Sequence, residues 1–439
     1  MEETYRSVNC ETNHCAITGA ASFFCAIKDA VILVNGSRFC FKQMLHNLEK
    51  TFRQPVRSRL FCTELQEESI IFGTEALLER ELKKIKDKRN PSILFIQNNC
   101  AASLIGDDVA GIAQRYGFSC PVIVLDSGGL EGGFYEGWRQ AAKAFFQAFP
   151  LAEAPVDPWS VNLVGVSDSL FNFTNDKKEI LSLLETGGIR TVNLVGGNMT
   201  LANLQKLRTA ALNVVIFSEL GKELAEFLYE EYGMPYLITL PPYGMEGSER
   251  WLLQIMKALH SPDSEAEAVH AFFTAQKAEL KTEAGKLRKI FGDLWISEIN
   301  IAGPYSTVYG IAEALRTELA NYETMNLFVY DDSPDYLSLA NEKQYRRHRY
   351  FDPQLLGQSP DWLLFSSSAE HALTVSTDMH VSQNGHISQQ AGNNNFCCIA
   401  YPCFDSAVFQ PYMGTNGCRN LLRFLWQNYI DNLRKTERD

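Results

Sequence analysis

Short apolar runs alternate with segments of helical spacing along most of this chain. In the first part, SILFIQNN (92–99) and PVIVLDS (121–127) have the length and continuity of buried strands, whereas 104–117 and 134–149 carry apolar residues at helical intervals. Strands without polar alternation are typical of parallel sheets that are covered on both faces. The first part of the chain therefore predicts an α/β unit.

The same alternation occurs twice more along the chain. It resumes at VNLVGVS (161–167), after the three-proline segment PLAEAPVDPWS (150–160), which we interpret as a linker, and again after a helical stretch over 247–290. The predicted elements of the third part are strands at 298–303, 325–332, 362–368 and 396–401 and helices at 308–322 and 416–435. We therefore predict three Rossmann-like domains with mainly parallel sheets, over residues 1–155, 156–292 and 293–439.

Charge balance and the length of apolar runs together exclude two classes of partner, nucleic acids and membranes. The 439 residues include 40 Lys and Arg against 52 Asp and Glu, a formal net charge of −12, and no basic block stands out, so we expect no nucleic-acid partner. The N-terminal segment MEETYRSVNCETNHC is polar, and no uncharged apolar run approaches the roughly 20 residues that span a bilayer. We therefore expect a soluble, cytoplasmic protein without a membrane partner.

The chain has eleven cysteines, which a reducing compartment keeps as thiols that are either buried or bound to metal. Cys10 and Cys15 have no second matched pair nearby, as a structural zinc site requires. Cys397, Cys398 and Cys403 flank an apolar strand, where alternation directs neighbouring residues to opposite faces, so we interpret them as buried strand cysteines. The eight histidines show no metal-binding spacing.

Two glycine-rich segments follow predicted strands, SGGLEGGFYEGW (127–138) and LVGGNMT (194–200). Neither matches a P-loop or a dinucleotide fingerprint, so we interpret both as tight turns, although the amides of the first could hold an anion. Asp107 and Asp108 are interpreted as acids at a helix start rather than as a catalytic pair.

Three cysteines are better candidates for chemistry. Cys15, Cys40 and Cys100 lie in or near segments of small and polar residues, and Cys100 ends a predicted strand just before a helix, where α/β proteins gather ligands. Thiolates are the natural ligands of iron–sulfur clusters, usually four to a cluster. Three thiolates from one chain are one short, which indicates a cluster shared with a second chain. The alternative is that all three cysteines are buried thiols with a purely structural role.

The segments around these cysteines resemble nitrogenase component 1 and its relatives. HCAITGAA, VNGSRFC (with Asn35 where the family usually has His) and NNCAASLIGDDVAGI resemble the family's cysteine segments. TELQEESIIFGTEALLEREL, YGMPYLITLPPYGMEGSERWL and IAYPCFD resemble further family motifs, in the family's order along most of the chain.

This resemblance implies a nitrogenase component 1-like fold in a paired assembly. In it, Cys15, Cys40 and Cys100 match the ligands of an interfacial cluster, either a P-cluster-type 8Fe-7S or a 4Fe-4S cluster. The implied partners are a homologous component 1 subunit, in a hetero- or homodimer or a tetramer, and an ATP-dependent iron–sulfur reductase.

The chain departs from the cofactor-holding catalytic subunit of that family. Phe217 or Ser218 occupies the position of its cofactor-anchoring cysteine, and no motif selects a cofactor histidine among His371, His380 and His386. We therefore expect an oxidoreductase subunit that relays electrons from the reductase through the shared cluster to a reducible substrate. The alternatives are a scaffold for assembly of a nitrogenase-type cofactor and a cluster-free structural or regulatory paralogue.

Overall fold

A computed structural model of the chain describes residues 15–51, 55–89, 91–170, 172–319, 321–329, 346–348, 362–366, 395–398 and 410–436. In these residues the strands form three separate sheets, and every strand pair within them is parallel. The predicted α/β fold with mainly parallel sheets is confirmed. The domain boundaries at 155 and 292 stay predictions.

The first sheet carries the candidate cysteines. Its strands are β1 (Ala30–Asn35), β2 (Leu60–Cys62), β3 (Ile93–Asn98) and β4 (Val122–Asp126), in the order β2-β1-β3-β4. Its helices are α1 (Ala16–Ala26), α2 (Arg38–Thr51), α3 (Glu67–Phe72), α4 (Glu75–Lys88), α5 (Cys100–Ile105), α6 (Val109–Arg115) and α7 (Phe134–Ala148). The strands predicted at 92–99 and 121–127 are confirmed as β3 and β4.

The second sheet follows the same plan. Its strands are β5 (Asp157–Val164), β6 (Thr191–Val195), β7 (Ala210–Val215) and β8 (Tyr236–Ile238), in the order β6-β5-β7-β8. The helices of this region are α8 (Phe173–Thr186), α9 (Leu201–Gln205), α10 (Ser218–Tyr232), α11 (Met245–Ala258) and α12 (Asp263–Phe291). The helical stretch predicted over 247–290 is confirmed as α11 and α12.

The third sheet has the order β11-β10-β9-β12-β13. Its strands are β9 (Trp295–Gly303), β10 (Asn321–Val329), β11 (Arg346–His348), β12 (Trp362–Ser366) and β13 (Asn395–Cys398). Helix α13 (Tyr305–Ala314) continues into a π-helical turn (Leu315–Leu319), and α14 (Gly414–Thr436) closes the described chain. No helix in the described part of the chain combines the length and apolar character that crossing a bilayer requires.

Helix α1 anchors the first sheet to the rest of the molecule, since all eleven of its residues are buried. Phe24 stacks on Phe95 of β3 with ring centroids 3.8 Å apart, and Phe23 contacts Trp138 of α7 edge-on at 5.2 Å. Each such aromatic side chain contributes about 1.5–3 kcal/mol by burial. The N-terminus of α1, at Cys15, is thereby fixed relative to the sheet.

Three sequence predictions require correction. The linker predicted over 150–160 ends early, because β5 begins at Asp157, with an irregular register where Pro158 cannot donate a hydrogen bond. The helix predicted over 104–117 is two helices, because Gly106 adopts a left-handed conformation (φ 76°) that ends α5. The helix predicted over 308–322 begins and ends three residues earlier, with α13 and its π-helical turn covering 305–319, since β10 begins at Asn321.

Candidate metal centre

Cys15 caps the N-terminus of α1, beside the loop that follows β4. It forms an isolated antiparallel bridge with Gly133, and the N–H of Ala16 donates to the carbonyl of Gly132 at 3.0 Å. Helices α1 and α7 approach closely at glycine: a Cβ on Gly19 would lie 1.8 Å from the carbonyl oxygen of Phe134. This close packing holds Cys15 against the loop.

Cys100 begins α5 directly after β3. Asn99 caps this helix by accepting from the N–H of Ala102 at 3.0 Å, and the N–H of Gly129 donates to the Cys100 Sγ at 2.9 Å. A Cβ placed on Gly128 would lie only 2.7 Å from the same sulfur, so this position requires glycine. A Cβ on Gly129 would lie 3.4 Å from the Cys15 Cβ and 3.8 Å from the Cys100 Sγ, so both cysteines border this loop.

Cys40 lies in the first turn of α2, and its N–H donates to the Ser37 Oγ at 3.3 Å. The Asn99 side-chain amide donates to the Cys40 Sγ at 3.7 Å, so one asparagine links the positions of Cys40 and Cys100. The structure therefore brings the three predicted cysteines to one edge of the first sheet.

Asn35 fixes this edge. Its side chain is fully buried, donates to the Asn98 Oδ1 at 3.0 Å and the Thr74 Oγ1 at 3.3 Å, and accepts from the Thr63 Oγ1 at 3.1 Å. Asn35 thus ties the ends of β1, β2 and β3 to the start of α4. The acids Asp107 and Asp108, which lie between α5 and α6, are structural, as predicted. Asp108 caps α6 by accepting the N–H of Gly111, and Asp107 accepts the backbone N–H of Thr74.

A fourth cysteine, Cys62, ends β2 at the same edge. Its Sγ lies 3.5 Å from the carbonyl oxygen of Gly36, and the N–H of Glu64 donates to this sulfur at 3.4 Å. Burial raises the pKa of the Cys62 thiol to about 11; the Glu64 N–H acts in the opposite direction, and the nearby Cys40 adds slightly to the rise.

The other cysteines have different surroundings. Cys25 and Cys418 are buried in the apolar core, and burial raises the pKa of the Cys25 thiol to about 12. Cys397 and Cys398 are consecutive residues of β13, paired with Phe365 and Ser366. Cys10 and Cys403 lie outside the described residues, as do His371, His380 and His386.

The donor set fits an iron–sulfur cluster by its chemistry. Three sulfurs at this edge accept hydrogen bonds from N–H groups: Cys40 from Asn99, Cys62 from Glu64 and Cys100 from Gly129. Such hydrogen bonds stabilise a thiolate. Among the described residues, no three His, Cys, Asp or Glu side chains form a ready-made metal site. Sequence reasoning missed Asn99, Gly128 and Gly129, although the glycine-rich segment after β4 was a visible signal.

Exposed apolar side chains surround the cysteine edge. Phe39 adjoins Cys40 and is 71% exposed, Leu104 lies one turn after Cys100, and Leu130 follows Gly129. Helix α3, which follows β2, adds three more, Ile70, Ile71 and Phe72, the last 83% exposed. We call these six residues the apolar rim. Large apolar side chains are costly to expose to water, and where they form a patch they mark an interaction site.

The position that matches the family's cofactor-anchoring cysteine lies in the interior. Phe217 precedes α10, is 1% exposed, and contacts Phe173 edge-on with ring centroids 6.0 Å apart. The next residue, Ser218, bonds to Ser306, whose hydroxyl donates to the Glu219 carboxylate at 2.5 Å. Whether Phe217 or Ser218 is the matching residue, this position holds no thiol.

Known proteins show where the chain belongs. The family model described as nitrogenase component 1 type oxidoreductase matches residues 15–328. A nitrogenase iron–molybdenum cofactor biosynthesis protein NifE from Nostoc sp. is 29% identical over 57% of this chain and 52% of its own length. A nitrogenase molybdenum–iron protein alpha chain from Methanothermococcus thermolithotrophicus is 27% identical over 55% of this chain and 53% of its own.

The chain spans about half the length of these curated relatives. A solved structure titled "Nitrogenase Cp1 at pH 6.5" shares the fold, with a TM-score of 0.74, 15% identity, and coverage of 97% of this chain and 93% of that chain. The resemblance found in the motifs is thus confirmed, and the chain belongs to the nitrogenase component 1 type oxidoreductase family.

Proposed function

We propose that this chain is a cluster-bearing scaffold subunit on which a nitrogenase-type iron–sulfur cofactor is assembled. The observation that carries the proposal is the convergence of Cys15, Cys40 and Cys100 at one sheet edge, with N–H donors directed at two of the three sulfurs. The scaffold role is supported by the similarity to NifE, which is named for cofactor biosynthesis.

In this proposal the three thiolates hold the cluster, and a bound cluster supplies reversible one-electron chemistry. The chain's own residues control its surroundings. Asn99 donates to the Cys40 sulfur and caps the helix that begins at Cys100, Gly128 leaves room beside Cys100, and the Gly129 N–H stabilises negative charge on the Cys100 sulfur. These contacts would set the reduction potential.

A homologous chain is the proposed partner at this edge. The apolar rim exposes aromatic and aliphatic side chains beside Cys40 and Cys100, which a monomer would leave in water. Pairing across this face would bury the rim and exclude water from the cluster. An ATP-dependent iron–sulfur reductase is the proposed electron donor, in keeping with the family.

Cofactor transfer tests the scaffold role. The anaerobically purified complex of this chain is loaded with iron, sulfide and cofactor precursor, and mixed with an apo-nitrogenase that lacks its cofactor. Activation of the apo-enzyme is the expected result, and a Cys100→Ala complex serves as the control. A cluster-loaded complex that never activates the apo-enzyme would contradict the scaffold role.

The second candidate is an oxidoreductase subunit that relays electrons to a reducible substrate. The observation that favours it is the buried Phe217, which leaves no thiol at the position matching the family's cofactor anchor. Reduction of a substrate by the complex with its reductase and ATP, without transfer of any cofactor, would establish this role in place of the scaffold.

A further inference from the structure

We propose that Gln97 is a positioning residue that holds Cys15 and Cys100 at a fixed separation before any iron binds. Its single side-chain amide ties the helix that begins after Cys15 to the loop that borders Cys100. The inference rests on the proposed cluster, but not on the scaffold or relay role and not on which chain supplies the remaining ligands.

Strand alternation directs Gln97 to the face of the first sheet that carries α1. Phe95, two residues earlier on β3, stacks on Phe24 of α1, and side chains two apart on a strand share a face. Gln97 is fully buried and precedes Cys100 by three residues in the sequence. A polar side chain is thus buried next to the cysteine edge, where it requires hydrogen-bond partners.

The Gln97 amide nitrogen donates in two directions. It donates to the backbone carbonyl of Ile17 at 3.1 Å and to the Ser127 Oγ at 3.2 Å. Ile17 lies in the first turn of α1, two residues after Cys15. Ser127 directly follows β4 and is itself fully buried. One amide group therefore joins the helix that has Cys15 as its N-cap to the start of the loop that contains Gly129.

The orientation of this amide costs stability at its other end. The Ile17 carbonyl can only accept a hydrogen bond, so the amide nitrogen of Gln97 must face it. In the described part of the chain, the Gln97 Oε1 is buried and has no hydrogen-bond partner. A buried acceptor without a partner lowers stability, and a methionine of similar shape would fill the same space without that oxygen. The two donated hydrogen bonds, rather than the stability of the fold, therefore explain a glutamine here.

The loop that begins at Ser127 borders both cysteines. The Gly129 N–H donates to the Cys100 Sγ at 2.9 Å, and a Cβ on Gly129 would lie 3.4 Å from the Cys15 Cβ. Ser127 is held from two sides, because its own N–H donates to the backbone of β3 at 3.0 Å and its Oγ accepts from Gln97. Without the Gln97 bonds, the N-terminus of α1 and this loop should move apart. That movement would separate Cys15 from Cys100 and weaken the Gly129 hydrogen bond.

Thiol crosslinking in the iron-free chain tests the positioning role without any cluster. Wild type and Gln97→Met are treated anaerobically with dibromobimane, which joins two thiols only where they lie close together, and the crosslinked peptides are quantified by mass spectrometry. We expect a Cys15–Cys100 crosslink in the wild type and a several-fold loss of it in the variant. Ser127→Ala, which removes only the acceptor in the loop, should lower the crosslink in the same direction.

Asn213→Leu is the matched control. Asn213 is also a fully buried amide on a parallel strand, and its nitrogen likewise has no hydrogen-bond partner among the described residues. It lies on β7 of the second sheet, however, and accepts from Asn162 at 2.8 Å. Its loss should leave the Cys15–Cys100 crosslink unchanged, however it alters the free energy of unfolding. Equal crosslinking in wild type and Gln97→Met, or an equal loss in Asn213→Leu, would overturn the inference.

The reduction potential of the loaded protein gives a second readout. Hydrogen bonds to cluster sulfurs stabilise the more negative, reduced state, so a weaker Gly129 bond to Cys100 should make the potential more negative. Wild type and Gln97→Met, each purified anaerobically with the partner chain, are titrated and followed by electron paramagnetic resonance. An identical potential and spectrum in a variant that keeps its iron would contradict the positioning role. A wild type without iron would instead contradict the proposed cluster, and the crosslinking result would still decide the role of Gln97.

Discussion

At the scale of single residues, the cysteine edge depends on glycines that leave room for sulfur. A Cβ on Gly128 would lie 2.4 Å from the Cys100 backbone nitrogen and 2.7 Å from its Sγ, closer than any packing tolerates. The loop after β4 and the start of α5 must therefore separate if this glycine is replaced.

Gly128→Ala should accordingly cost about 1–3 kcal/mol of stability and lower the iron content of the anaerobically reconstituted protein. Gly247→Ala is the control, because a Cβ on Gly247 of α11 would meet nothing within 4 Å. Removing a helical glycine there should stabilise the protein by up to about 1 kcal/mol. Unchanged iron in Gly128→Ala would show that this contact does not shape the site.

A buried carboxyl makes stability depend on pH. Asp176 of α8 is fully buried and accepts the N–H groups of Tyr412 and Met413, just before α14. Burial raises the pKa of Asp176 to about 7, only partly offset by these hydrogen bonds. The folded state therefore holds its proton more tightly than the unfolded state, and this contribution to stability is lost as pH rises from about 4 to about 7.

Asp176→Asn should remove this dependence while keeping an oxygen acceptor for both N–H groups. The free energy of unfolding of the variant, relative to wild type, should rise by about 2–4 kcal/mol between pH 4 and pH 8. Urea unfolding at several pH values measures the difference. A constant difference across this range would mean that Asp176 does not titrate there.

The residue scale is also where sequence reasoning was least complete. Cys15, Cys40 and Cys100 were selected by motif, and the structure brings them to one edge. Asn99 was missed, because its contact with the Cys40 sulfur joins segments that are 59 residues apart, and spacing along one sequence cannot reveal such a contact.

At the scale of elements, apolar periodicity predicted most strands and helices, because buried parallel strands are continuous apolar runs. Errors occurred at ends, where one residue decides the boundary. Gly106 ends α5 by its left-handed conformation, and β5 begins at Asp157 despite Pro158. These outcomes depend on tertiary packing, which periodicity does not record.

Helix α3 exposes apolar side chains that we expect to lie in the pairing interface. Ile71 and Phe72 are 78% and 83% exposed, beside the cysteine edge, so pairing should bury them. Phe72→Glu should weaken pairing about tenfold or more, since charge at an apolar interface centre is costly. Ile290→Glu is the control, because Ile290 is 70% exposed on helix α12, which carries none of the apolar rim. Sedimentation equilibrium measures the dimer dissociation constant, and equal constants would exclude α3 from the interface.

At the scale of the whole molecule, one apolar core joins residues of all three sheets, so the cysteine edge is carried on a continuous packed body. A partner would then bind at that edge to a surface that is already formed in the single chain. We expect the chain to form at least a dimer, through an interface on the order of 2,000 Å². A monomer at micromolar concentration with a full complement of iron would contradict obligate pairing.

The central claim is that the thiols at this edge hold an iron–sulfur cluster, and iron and sulfide analysis of the anaerobically purified protein tests it most directly. Wild-type protein should contain both elements, and Cys15→Ala, Cys40→Ala and Cys100→Ala should each lose or alter the cluster, whereas Cys397→Ala should not. Wild-type protein without iron, or three variants that all retain wild-type iron and sulfide, would contradict the claim.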